Sequence, residues 1–130
     1  MEINIATRQG RSPVTVFDIE GEINAGTYEA LQAEARKAFE AGARNLLLDL
    51  ADVGFVSSAG IRALNAIFKL YQTDGETSEE IARGLRDGTF KSRHVKLLNP
   101  GPRVTEVLSI AGVDMFLEIY RDLDEAVASF

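Results

Sequence analysis

Cysteine is absent from this 130-residue chain and histidine occurs once, at His94. The first absence excludes disulfide scaffolds, thiolate metal sites and a cysteine nucleophile. The second excludes a metal centre built on several imidazoles, and no metal-ligand set is expected. No apolar run approaches the about 20 residues needed to span a bilayer. The start, Met1-Glu2-Ile3-Asn4-Ile5, lacks the basic and apolar stretches of a signal peptide, so a cytoplasmic location is expected. Positive charge is also scarce, with 14 Lys and Arg against 20 Asp and Glu, a net −6. A phosphate-backbone binder is normally basic, so nucleic acid is not an expected partner.

What is present fits one globular domain over residues 1–130: 45% hydrophobic and 26% charged residues. Ile3 to Thr7 and Val14 to Ile19 alternate as strands joined by the turn residues 9–13, an antiparallel hairpin. From Thr27 to Ala41, Tyr28, Leu31, Ala35, Ala38 and Phe39 share one helical face; Thr27 suits the N-cap and Gly42 the C-terminal stop. Asn45 to Leu50 is a continuous apolar run of the kind found in a central strand buried on both faces, closed by residues 51–54. A helix from about Ala59 to Gln72 follows, with Ile61, Leu64, Phe68 and Tyr71 as its buried stripe.

Residues 74–93 read as a polar insertion on the surface, with a short helix at 78–83; removing 76–90 is expected to leave the fold intact. Its first part is acidic (Asp74, Glu76, Glu79, Glu80) and its later part basic (Arg83, Arg86, Lys91, Arg93). Val95 to Leu98 forms a strand flanked by His94. A helix from Arg103 to Ala111 stops at Gly112, and Phe116 to Tyr120 is a last strand. Asp122 or Asp124 caps a final helix. The order β-β-α-β-α-β-α-β-α predicts an α/β domain with a mixed, mostly parallel sheet of about five strands.

The segment from 47 to 64 carries the chemistry. It places Ser57 and Ser58 where a buried strand meets a helix, at the strand end where sites gather in α/β sheets. Unpaired N–H groups and the positive end of the helix dipole suit a phosphate there; either serine also suits a plain helix cap. A nucleophile elbow is the enzymatic alternative. The window Val56-Ser57-Ser58-Ala59-Gly60 has valine where the first glycine of Gly-x-Ser-x-Gly belongs, and the acids between Ser58 and His94, Asp74 and Asp87, fall in the polar insertion.

Leu47-Leu48-Asp49-Leu50-Ala51-Asp52-Val53-Gly54-Phe55-Val56-Ser57-Ser58-Ala59-Gly60-Ile61-Arg62-Ala63-Leu64 resembles the central signature of STAS domains, found in sulfate transporters and anti-sigma factor antagonists. Gly21-Glu22-Ile23-Asn24 resembles the earlier family motif, and Val104 to Val113 the late helix with its closing glycine. The resemblance implies a regulatory binding protein rather than an enzyme, with no catalytic residues and no cofactor. It implies an anti-sigma factor of the GHKL serine-kinase type as partner, which the unmodified protein binds, and a serine phosphatase that reverses the modification. It places the phosphoacceptor on Ser58, with Ser57 second. It places the partner surface at Asn24, Ser57, Ser58, Ala59, Gly60, Ile61 and Arg62. Two departures stand out: Ser57 and Asn24 occupy positions where the sporulation antagonists carry Asp. A second role open to the family is a scaffold subunit of a signalling assembly or of an ABC-type lipid-transport complex.

Overall fold

The computed structural model describes residues 1–72, 78–88 and 90–130. Asp74 and Glu76 lie outside the described residues. Strands β1 (Glu2–Gln9) and β2 (Pro13–Ile23) precede helix α1 (Tyr28–Glu40), strand β3 (Leu46–Val56) and helix α2 (Ser58–Tyr71). Helix α3 (Ser78–Asp87), strand β4 (Val95–Leu98), helix α4 (Pro102–Ile110), strand β5 (Ile119–Tyr120) and helix α5 (Leu123–Ala128) complete the order. The five strands lie side by side in sequence order. β1 is antiparallel to β2, and each later neighbour is parallel.

The leucine run explains the two-sided sheet. Side chains alternate across a strand, so Leu46, Leu48 and Leu50 enter one cluster with Phe17, Ile19 and Leu97, while Leu47 enters another. Right-handed crossovers between adjacent parallel strands put their helices on one face. Leu31 of α1, Leu64 and Phe68 of α2, and Val104 and Leu108 of α4 accordingly share the first cluster. On the other face, Val14, Val16, Leu47 and Leu98 are closed by Ala126 and Val127 of α5. Tyr71 ties α2 to α1: its phenol donates to the Ala35 carbonyl at 2.8 Å, and burial pushes its pKa up to about 12.

Three expectations are corrected. β3 does not end at Leu50 but runs to Val56. Beyond Asp49, the last residue paired to β4, it pairs with β2 alone, through two register shifts that each fit one extra β3 residue. Asp52 and Gly54 are therefore exposed strand residues, although they read as turn chemistry. The last strand shrinks to Ile119–Tyr120, because a 3-10 turn at Val113–Met115 follows the left-handed Gly112 (φ +77°). Asp122 supplies the α5 cap, accepting from the Glu125 N–H at 2.9 Å, while Asp124 pairs with Arg8.

The polar insertion is the third. Its helix runs to Asp87, and Ile81 packs against the main core. Phe90 is 9% exposed, its ring edge-on to Phe68 at 5.6 Å between centroids. Ser92 is buried, and its Oγ accepts from the Val95 N–H. A deletion of 76–90 removes a core side chain, so it is no longer expected to be neutral. Phe90→Ala should cost about 2 kcal/mol, below the range for a fully enclosed aromatic because the residue keeps some contact with solvent. Urea unfolding checks this; a loss below about 0.5 kcal/mol, the level of an ordinary surface change, would show the segment to be idle in the core.

Candidate functional site

The β3–α2 junction gives its two serines different work. Ser57 is extended (φ −86°, ψ 178°) and is the N-cap of α2. Its N–H donates to the Ile23 carbonyl at 2.9 Å, its Oγ accepts from the Gly60 N–H at 3.3 Å, and its carbonyl accepts from the Ile61 N–H. A cap satisfies one of the donors a helix start leaves open. Ser57 is half-buried and its oxygen is engaged. Ser58, the first helical residue, is exposed and makes no hydrogen bond among the described residues beyond those of the helix itself. The first turn of α2 carries no acidic residue, so the helix itself supplies no charge to offset the positive end of its dipole.

Gly60 sets how close this junction sits to β2. A Cβ there would stand 2.6 Å from the Ile23 carbonyl oxygen and 2.8 Å from Val56 Cγ1. Only a residue without a side chain lets α2 start this near the end of β2. Ala59 and Gly60 are both buried. They seat the helix, whereas Ile61 is half-buried and Arg62 exposed.

Asn24 follows Ile23, which pairs with Val56, so the register carries it beside Ser57. Its Oδ1 accepts from the Gly26 N–H at 2.9 Å, and its carbonyl accepts from the N–H groups of Thr27 and Tyr28. Asn24 thus builds the turn into α1. Thr27 holds the N-cap position without capping: its hydroxyl donates to the Glu22 carbonyl at 2.7 Å and accepts from the Asn24 N–H. The expected helix cap is replaced by a bond that tightens the preceding loop.

An open cavity of about 460 Å³ lies beside this junction, lined by Glu22, Gly54, Phe55 and Arg103. The Arg103 guanidinium sits 5.0 Å from the centre of the half-buried Phe55 ring, within cation–π range. Neither residue was singled out by the sequence. The available signal was an aromatic placed between Gly54 and the serine pair, which becomes informative only once β3 is known to extend that far.

The part of the α5-side sheet face that α5 leaves open is acidic. Register places Glu2 opposite Glu20, Glu20 beside Asp52, and Asp18 beside Asp49. Glu20 is raised above the ordinary carboxylate range by its hydrogen bond to Glu2 and by the negative charges around it. Asp49 is raised chiefly by desolvation, with repulsion from Asp18 and Asp52 adding, against the Ala51 N–H that donates to it at 3.1 Å. A carboxyl whose folded pKa exceeds its unfolded value opposes folding when ionised. Stability should rise as pH falls from the folded pKa to the unfolded one. Asp49→Asn should therefore be more stable than wild type at pH 7, and the two should converge across that window. Thermal unfolding at a series of pH values checks this; a variant less stable at neutral pH would contradict it.

His94 and the serines do not meet. The His94 carbonyl accepts from the Leu46 N–H at the start of β3, and its ring Nδ1 lies 3.0 Å from Asn45 Oδ1. Ser57 follows the far end of that strand, so the length of β3 separates them. Among the described residues, no group of three or more His, Asp and Glu side chains is placed to hold a metal ion. No helix among them is long and apolar enough to cross a membrane.

Residues 4–78, more than half of the chain, match the STAS domain. BtrV of Bordetella bronchiseptica, to which an anti-sigma factor antagonist role is ascribed, is 27% identical over 113 residues, covering 86% of this chain and 82% of BtrV. In three dimensions the fold is similar to an anti-sigma factor antagonist from Mycobacterium paratuberculosis, with a TM-score of 0.68, 21% identity, and 98% and 93% of the two chains covered. It is also similar to the Bacillus cell fate determinant SpoIIAA in its phosphorylated form, with a TM-score of 0.61, 17% identity, and 97% and 96% covered.

Proposed function

Since this chain belongs to the STAS domain family, we propose that it is an anti-sigma factor antagonist acting in the cytoplasm, switched off by phosphorylation of Ser58. In its unmodified state it binds an anti-sigma factor of the GHKL serine-kinase type. That partner adds the phosphate and a serine phosphatase removes it. The antagonist role is ascribed to BtrV and to the Mycobacterium paratuberculosis protein, and SpoIIAA exists in a phosphorylated form.

The observation that carries the choice of residue is the division of labour at the junction. Ser57 spends its oxygen on the helix cap, whereas Ser58 offers an exposed hydroxyl at the same helix start. A kinase needs a hydroxyl that it can reach and whose modification leaves the fold intact. A phosphate at Ser58 adds about −1.5 to −2 charge where the helix dipole favours it. Arg62, exposed one turn on, can share that charge without moving the backbone.

The partner surface comprises Asn24, Ser58, Ile61 and Arg62, with Phe55 and Arg103 at its edge. Ala59 and Gly60 act through the seat of the helix. The test is incubation of the chain with its anti-sigma partner and ATP, followed by mass mapping. The phosphate is expected on Ser58. A phosphate on Ser57 would refute the assignment. Binding with neither serine modified would point instead to the scaffold role in a signalling or transport assembly.

A further inference from the structure

On the α5 face, at the opposite end of the sheet from Ser58, an open cleft of about 520 Å³ is lined, among the described residues, by four cationic side chains, Arg11, Lys91, Arg93 and Lys96, and one acidic one, Glu118. That balance runs against a chain of net charge −6. We propose that this cleft binds a small phosphate-class anion, inorganic phosphate or a phosphate monoester.

Lys96 forms the floor. It is 4% exposed and occupies a β4 position on the face where its pairing partner is Leu47 and its chain neighbour Leu98 packs with Val14, Val16 and Leu47. An apolar side chain would fill that position without the cost of burying a charge. The ammonium donates to the Ser129 carbonyl at 2.9 Å and to Ser129 Oγ at 3.0 Å. Its carboxylate neighbour, Glu118, stands 3.7 Å away, beyond a normal hydrogen bond. Burial lowers the Lys96 pKa, Arg11 lowers it further, and Glu118 alone pulls it back.

Two of the rim cations, Arg11 and Lys91, have no acidic partner among the described residues. Arg11, in the β1–β2 turn, makes no hydrogen bond or ion pair among the described residues. Lys91 donates to the Met115 carbonyl. A dianionic oxyanion supplies what this arrangement lacks: several acceptors and negative charge in a partly desolvated space. The Phe130 ring, 4.8 Å from Lys96 Nζ, offers an apolar wall to the organic part of a monoester. A free solute fits better than a flat surface would, because the deepest charge is nearly out of reach of solvent.

The experiment is an amide NMR titration of the full chain with inorganic phosphate, with glycerol phosphate, and with sodium chloride at matched ionic strength. The expected result is saturable shifts at residues 91–96 and 129–130 with the phosphates only, leaving 57–62 unmoved. Arg11→Ser, at an exposed turn, should keep the fold and weaken the affinity at least about tenfold, the loss expected for one charge-assisted hydrogen bond. Lys96→Met should abolish saturation. Equal shifts with chloride, no saturation with either phosphate, or unchanged affinity in folded Arg11→Ser would each overturn the proposal. None of these outcomes bears on the Ser58 switch, which lies at the other end of β3.

Discussion

Replacing Leu48 with alanine should lower the free energy of unfolding by about 4 kcal/mol, within the range measured for buried leucine truncations. Leu48 is fully buried in β3, the middle strand. Register places it beside Phe17 on one side and Leu97 on the other, all facing the helices. Those neighbours are held by backbone ladders on both sides, so the sheet cannot close over the missing methyl groups. The energy lost is the transfer of those groups plus the void they leave. Urea unfolding should show a lower midpoint at unchanged slope. A loss under about 1 kcal/mol would mean that the site relaxes freely, and would contradict a two-sided central strand.

A phosphate on Ser58 should weaken binding to the anti-sigma partner about a thousandfold, which corresponds to about 4 kcal/mol. The domain need not change shape, because the charge acts at the interface, where it must be desolvated or paired. Ser58→Asp carries less charge and should give a smaller loss in the same direction. Ser58→Ala should bind as wild type does. Ser57→Ala provides the contrast: it removes the cap and should cost about 1 kcal/mol of stability while leaving the acceptor in place. Calorimetric titration of the partner with biosynthetically phosphorylated protein gives the number. Equal affinity for the modified and unmodified chains would remove the switch, whatever the mapping shows.

The parts legible in the sequence are those fixed by local pattern. The leucine run, the helix stripe ending in Tyr71 and the serine pair at a helix start all follow from side-chain periodicity and capping chemistry, and the structure places them as read except for Ile61 of the stripe, which is half-buried. The parts that were not legible depend on neighbours far along the chain. Asp52 and Gly54 look like a turn, yet they sit in a strand because β2 continues beside them while β4 does not. Phe90 is one aromatic in a polar stretch, and only the Phe68 ring makes it core. Thr27 has the right chemistry for a cap, but the Glu22 carbonyl claims its hydroxyl. Phe55 and Arg103 come from different elements and meet only when the sheet and α4 are in place.

The strands lie in space in the order in which they occur along the chain, and this bears on how the protein is made. Each β-α unit can dock on the one synthesised just before it, so most sheet contacts span modest sequence separations and folding can proceed during translation. The exception is the α5 face. Val14, Val16 and Leu47 wait for Ala126 and Val127, which are made only after all five strands. Through most of synthesis the nascent chain therefore presents one finished side and one bare apolar side. A six-residue helix ends that exposure, so a variant lacking Leu123–Ala128 should lose far more solubility than one lacking six residues elsewhere on the surface.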